Sequence, residues 1–291
     1  LDIITDIDQE KDDGTTPLYI ACENGHREVV ELLLVGGAEV DKVNEEDQTP
    51  LFAACCKGHT QVAGLLLTSG ANINTDNLGG LTPLWIACNG GHKQLVELLI
   101  AKRADVNYVD QHGGTPLHTA CELGHRSVIE LLLANGADIN HADEYGITPL
   151  HIVCCQGYVE LVNFLIANGA NINQADCDDQ TPLFVACEEG NLAVAELLIS
   201  LNQFNGYTSK QLILIMRCGA DHITSTDAMA FCMISYQCYI QLKSVHPGYV
   251  LTDLEYPIVE QGREEHNRKT HTLLSLFYDH QKKKVDRSLP G

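Results

Sequence analysis

The sequence predicts an all-α repeat solenoid of stacked helix-turn-helix units with short hairpins, followed by an irregular, mostly helical C-terminal tail. Three observations predict it. Thr-Pro-Leu recurs at Thr16, Thr49, Thr82, Thr115, Thr148 and Thr181, at a constant period of 33 residues. A glycine follows each copy in register, at Gly25, Gly58, Gly91, Gly124, Gly157 and Gly190. Leucine pairs or their equivalents follow at 32/33, 65/66, 98/99, 131/132, 164/165 and 197/198. Fixed periods of about 20–50 residues are the mark of stacked-repeat architectures.

Each element of the unit has its reason. Thr is a good helix N-cap, and Pro at the next position is tolerated because the first N–H has no helical partner. The first helix is short, residues 17–23 in the first copy, and Gly25 ends it in a conformation that suits glycine. The second helix has Val29, Leu32 and Leu33 on one side and Glu28 and Glu31 on the wet side. Gly37 and Ala38 close it. A short extended stretch follows, and a turn marked by Gly14, Gly80, Gly113 or Gly146 leads into the next Thr-Pro-Leu. One unit cannot bury its own apolar face but stacked neighbours can, so six units should form a slab roughly 60 Å long.

The fullest copies read GGTPLHTACELGHRSVIELLLANGADIN at 113–140 and GITPLHIVCCQGYVELVNFLIANGANIN at 146–173. These residues resemble the ankyrin-repeat family, over about two thirds of the chain. The resemblance implies an L-shaped repeat and a concave surface of hairpin tips and first helices. It also implies protein recognition, with no general catalytic role. Six repeats are expected over residues 12–205. Residues 1–11 read as the remnant of a preceding repeat, because Thr5, Asp6, Ile7 and Asp8 sit one period before Ala38, Glu39, Val40 and Asp41. The chain is therefore expected to be a fragment of a longer array or an incomplete gene product. Residues 206–223, which contain a second-helix-like stretch closing on Gly219, Ala220 and Asp221, read as a degenerate seventh repeat or cap. Residues 224–291 remain unassigned. A helix is expected there at about 264–284, with Lys282, Lys283 and Lys284 in its last turn, where basic residues suit the helix dipole.

Charge narrows the function. The net charge is -21, and the acidity lies in residues 1–200. Such a surface repels phosphate backbones and anionic lipid and attracts basic partners. Nucleic-acid and membrane-surface binding are therefore not expected. No apolar run approaches the roughly 18 residues of a membrane span. Residues 1–10 lack the basic and apolar regions of a signal peptide.

The 12 cysteines do not read as a disulfide framework. Cys22, Cys55, Cys88, Cys121, Cys154 and Cys187 form one column at the repeat spacing. Neighbours in it should lie about 10 Å apart, beyond the roughly 7 Å Cα limit for a disulfide. They read as small buried thiols, and with no glycosylation sequon they favour a reducing cytoplasmic or nuclear setting. Cys56 and Cys155 fall just past that column, among acidic or neutral groups that do not favour a thiolate. The Cys-x-x-x-His pairs, such as Cys22/His26 and Cys55/His59, supply two ligands per repeat, whereas zinc needs four. No metal and no cofactor are expected. No P-loop, dinucleotide fingerprint, nucleophile elbow or His-Glu-x-x-His is present. Tyr19, Phe52, Trp85 and Phe184 share a column with His118 and His151 and read as packing between repeats.

Partner contacts are expected where the repeat does not fix the residue, beside the turn before Thr-Pro-Leu and at the end of the first helix. These positions are Asp12, Asp13, Glu23, Asn24, Glu45, Glu46, Lys57, Asn89, His112, Glu122, Leu123, Glu144, Tyr145, Asp178, Glu188 and Glu189. Most are acids. The bland alternative is a merely solubilising surface. The function expected is a protein-protein scaffold or adaptor that binds a basic or mixed-charge partner on its acidic concave face. The alternative is the targeting region of a larger enzyme, ubiquitin-ligase adaptor or channel whose activity lies elsewhere. An activity within residues 201–291 has no recognisable site to support it.

Overall fold

A computed structural model describes residues 6–202. The degenerate repeat expected at 206–223 and the tail beyond it lie outside the described residues, as do residues 1–5. The described chain holds twelve helices: α1 Pro17–Glu23, α2 Arg27–Val35, α3 Pro50–Cys56, α4 Thr60–Thr68, α5 Pro83–Asn89, α6 Lys93–Ala101, α7 Pro116–Glu122, α8 Arg126–Ala134, α9 Pro149–Cys155, α10 Val159–Ala167, α11 Pro182–Glu188 and α12 Leu192–Asn202. They fall into two compact units, Leu1–Ile152 and Val153–Gly291, with the boundary inside α9.

In the first unit the odd helices pack in one row, α1 on α3, α3 on α5 and α5 on α7. The even helices pack in a second row, α2 on α4, α4 on α6 and α6 on α8. Each odd helix starts from its threonine. The hydroxyls of Thr16, Thr49 and Thr82 accept the backbone N–H of Tyr19, Phe52 and Trp85. Thr115 and Thr148 face histidine at that third position, and the imidazole takes over part of the cap. Nδ1 of His118 accepts the Thr115 N–H at 3.2 Å, and its Nε2 bonds the Ile147 carbonyl at 3.1 Å. At the far end Gly25, Gly58, Gly91 and Gly124 adopt φ of +66 to +76°, where a side chain is disfavoured. The next residue starts the second helix. His59 and His125 there reach back with Nε2 to the carbonyls of Glu23 and Asn89, at 3.0 and 3.1 Å. These histidines tie one repeat to the one before it.

The core runs between the rows. Leu18, Leu51, Leu84 and Leu117 are buried with Cys22, Cys55, Cys88 and Cys121. Burial raises every thiol in that set, Cys22 to about 12. All are free cysteines.

The second helix needs a correction. In α2 the buried residue is Val30, while Val29 is 46% and Leu32 73% exposed. Later repeats of the unit bury the Val29 equivalents Val62, Leu95 and Val128, and the Val30 equivalents Ala63, Val96 and Ile129. The Leu32 column is the outer edge of the helix in every repeat, and Leu65, Leu98 and Leu131 are all half-buried. The Val29 column is an inner one, and Val29 differs because no described helix pair packs on its side. The hairpins also differ from the expected extended stretch, since no strand forms among the described residues. Each is a turn closed on itself, as where the Asn44 and Asp47 N–H groups donate to Gln48 and Asn44 carbonyls.

In the second unit α11 packs on α12, and α10 on α12. Thr181 caps α11 by accepting the Phe184 N–H, and Asn191 replaces the histidine. Its Nδ2 donates to the carbonyls of Cys154 and Cys155 at 2.9 and 2.6 Å.

Candidate partner-binding surface

The hairpin tips of the first unit are locked in register by single backbone bonds. The N–H of Glu45 donates to Asp13 O, Leu78 to Glu46 O, Gln111 to Gly79 O and Glu144 to His112 O, at 3.0–3.2 Å. Beneath each tip an Asn or Asp side chain closes the turn. Asn44, Asn77, Asp110 and Asp143 each accept two backbone N–H groups at 2.8–3.0 Å. The five tips therefore present paired side chains from a fixed backbone: Asp12 and Asp13, Glu45 and Glu46, Leu78 and Gly79, Gln111 and His112, Glu144 and Tyr145.

The two ends of this row differ in chemistry. The first two tips are carboxylates, all exposed. Asp13 is partly engaged, since it accepts the Thr15 hydroxyl at 2.6 Å and N–H at 3.0 Å, which holds its carboxyl below the usual range. Glu46 accepts from the Gln48 amide at 2.9 Å. The third tip is apolar, with Leu78 66% exposed. At the last two tips His112 Nδ1 meets Glu144 Oε1 at 2.6 Å. That bond, with one from Tyr145, lowers the Glu144 carboxyl below its ordinary value. Tyr145 is itself 60% exposed.

The first-helix ends add a second row. Glu23 is half-buried and Asn24 exposed, with the Asn24 amide donating to the Ile20 carbonyl at 2.8 Å. Lys57 is exposed in the next repeat. Asn89 is half-buried, and its Oδ1 accepts the Thr119 hydroxyl at 3.2 Å. With its carbonyl held by His125, Asn89 is a tie between repeats. Glu122 and Leu123 are exposed, Leu123 to 45%. Asp178, Glu188 and Glu189 are exposed in the second unit.

Leu78 was not among the expected contacts, although the 33-residue period places it in the column of Glu45, Gln111 and Glu144. Cys177 occupies the same place in the period in the second unit and is an exposed thiol. Among the described residues no group of three or more His, Cys, Asp or Glu could hold a metal ion. No described helix is long and apolar enough to cross a membrane. The arrangement offers contact area and charge.

Comparison with curated proteins gives no match. Comparison with family profiles gives one described as Ankyrin repeats, in three copies over residues 2–77, 75–143 and 140–208. The match takes in both helix rows, the tips and the arm ahead of α1. Ankyrin repeats act as protein-protein interaction scaffolds, and by this match the chain belongs to the ankyrin-repeat family.

Proposed function

We propose that the chain is a scaffold or adaptor whose tips and first-helix ends in the first unit receive a basic or mixed-charge segment of another protein. The observation that carries this reading is the register-locked row of tips, with Leu78 and Tyr145 exposed beside carboxylates. A backbone already held in place loses little entropy on binding. Carboxylates at the first two tips attract a basic segment from a distance, and the apolar tips hold it after contact. Asp178, Glu188 and Glu189 are exposed acids on the second unit. The free, buried thiols fit a reducing compartment, the cytoplasm or the nucleus.

The experiment is affinity purification from the native cell, followed by titration of the partner found against Leu78→Ser and Tyr145→Ala. Central anchors typically carry about 2 kcal/mol or more, so each variant should weaken binding by more than tenfold. Both side chains are largely exposed, so the unfolding midpoint should hardly move. Unchanged affinity in both variants would refute the reading.

A further inference from the structure

The tips of the first unit form one continuous ridge, and its spacing selects what can lie along it. Each tip contributes two residues. The first of each pair donates its N–H to the carbonyl of the second residue of the tip before it, as Glu45 does to Asp13 and Leu78 to Glu46. One residue step of about 3.8 Å and one such crossing of about 5 Å advance the ridge about 9 Å per repeat. The second N–H of each pair is spent on the turn below: those of Glu46, Gly79, His112 and Tyr145 donate to Asn44, Asn77, Asp110 and Asp143. From the second tip to the fifth the ridge therefore has no backbone N–H left to pair with an added strand. It is read through its side chains.

One place beside the ridge is left open. Tyr19, Phe52, Trp85 and His118 share a column, and Tyr19, Phe52 and His118 are at most 8% exposed, whereas Trp85 is half-buried. The residue opposite is 29 positions on: the Tyr19 hydroxyl donates to Gln48 Oε1 at 2.7 Å, and His118 Nε2 meets the Ile147 carbonyl at 3.1 Å. The period puts Leu81 opposite Phe52 and Gly114 opposite Trp85. Gln48, Leu81 and Ile147 carry side chains, and Gly114 has none. Gly114 is the base of the fourth tip, where its N–H donates to Asp110 Oδ1 and its carbonyl accepts the Asp110 N–H, both at 2.9 Å. The chain's single tryptophan thus keeps part of its indole open beside the base of that tip.

Granting that the tips receive a partner segment, we infer that this segment is a polyproline II helix whose every third residue faces a tip, and that the open indole of Trp85 beside Gly114 receives a proline of it. A polyproline II helix has three residues per turn and rises about 3.1 Å per residue, so one turn covers about 9 Å, the advance of the ridge. Residues i, i+3 and i+6 then share one face. In a β-strand, side chains three apart point to opposite faces. The tips fix the chemistry of that face: two basic residues over the carboxylates of the first two tips, an apolar residue over Leu78, then proline at the fourth. Proline brings no N–H that would go unpaired on this ridge, and its ring packs on aromatic side chains. The helix is formed before it binds, which limits the ordering cost. The net charge of -21 draws the basic end in.

The test uses synthetic peptides on the full chain. One carries Arg, Arg, Leu and Pro at three-residue spacing with Gln between them, and a second reads in the opposite direction. Controls place the same residues two or four apart, and a further control replaces Pro by Ser. Titration by calorimetry and by Trp85 emission should show one of the two three-spaced peptides binding about tenfold or more tighter than every control, with an emission shift that the Ser peptide lacks. Gly114→Leu closes the opening with the residue type found at Leu81, and Trp85→Phe reproduces Phe52. By calorimetry each should weaken that peptide about tenfold and leave the controls unchanged, with no fall in the unfolding midpoint. An added Cβ at Gly114 would lie 2.9 Å from the Asp110 carboxylate, so Trp85→Phe carries the test alone if Gly114→Leu does not fold. Equal binding at every spacing, or a three-spaced peptide indifferent to the variants, would overturn the inference. So would no binding by any peptide. If every basic peptide binds alike and weakens when Glu45 and Glu46 become Gln, the tips remain the binding surface and only this inference falls.

Discussion

Gly64 is a mid-helix glycine in α4, and its replacement has a sign that the structure decides. Its place in the period is that of Glu31, Glu97 and Glu130, on the exposed side of their helices. Glycine there costs about 1 kcal/mol relative to alanine, because it loses more backbone freedom on folding. A Cβ added at Gly64 would touch only Leu98 Cδ2, at 3.7 Å, an ordinary contact. Gly64→Ala should therefore recover about 1 kcal/mol, which is roughly 2–4 °C for a chain of this size. Gly64→Glu should do nearly as well, less a small penalty for adding to an acidic surface. Gly80→Ala makes the contrast. Gly80 has φ +75°, and its added Cβ would lie 2.8 Å from the Gln111 N. Conformational strain and a clash with backbone should together cost about 2 kcal/mol or more. The assay is urea and thermal unfolding of the three variants beside the parent chain. No change or a fall in midpoint for Gly64→Ala would mean that helix propensity is not what limits this repeat.

Arg103 holds φ +70° where Gly70, Gly136 and Gly169 stand in other repeats, and added Cβ atoms at those glycines meet nothing within 4 Å. The strain at Arg103 is thus conformational, and Arg103→Gly should raise stability by roughly 1 kcal/mol in the same unfolding assay. A loss would reveal a bond that Arg103 makes. Burial pulls the His118 imidazole below its ordinary value of 6.5. The fold prefers its neutral form, so its contribution is complete above pH 6.5 and is lost as pH falls through the lower folded value. His118→Phe, which matches Phe52 and Phe184 in that column, should flatten the loss of stability below pH 6.5. An unchanged slope would contradict this. Thiol titration of the folded chain should label Cys56 and Cys177 quickly, and Cys22, Cys88 and Cys121 only after unfolding, because burial both hides and protonates them.

Much of the fold was legible because it rests on local rules repeated in register. The threonine caps, the proline after each and the glycine at left-handed φ fixed the bounds of residues 17–23 without reference to neighbours. The second helix was read less well. The run Leu32-Leu33-Leu34 offers three candidate faces, and the choice among them depends on which sides the neighbouring repeats cover. Val29 is exposed for the same reason: its column is buried only by a helix pair on that side. The candidate surface was legible in outline, since the period marks the tips. The jobs of single residues were not. Asn89 was expected to meet a partner, yet it is held by Thr119 and His125 of the next repeat. Asp13 and Asn24 spend hydrogen bonds on their own turns. Leu78 was not expected as a contact, and only the structure shows that it is more exposed than Tyr145.

The central claim is that the tips of the first unit form the binding surface, and the most direct test compares two sets of charges on one partner. Glu45, Glu46, Glu122 and Glu144 are changed to Gln in one variant, and the outer-helix Glu28, Glu31, Glu97 and Glu130 in another, so that net charge changes equally. Association and dissociation rates of the co-purified partner are then measured from low to high salt. Screening shortens the reach of charges from about 10 Å at 0.1 M to about 3 Å at 1 M. The account predicts that the tip variant associates more slowly and loses most of its salt dependence, with dissociation little changed. The outer-helix variant should stay close to the parent chain. Equal losses from both sets would show that net charge alone governs the encounter, and no loss from the tip set would place the binding surface elsewhere.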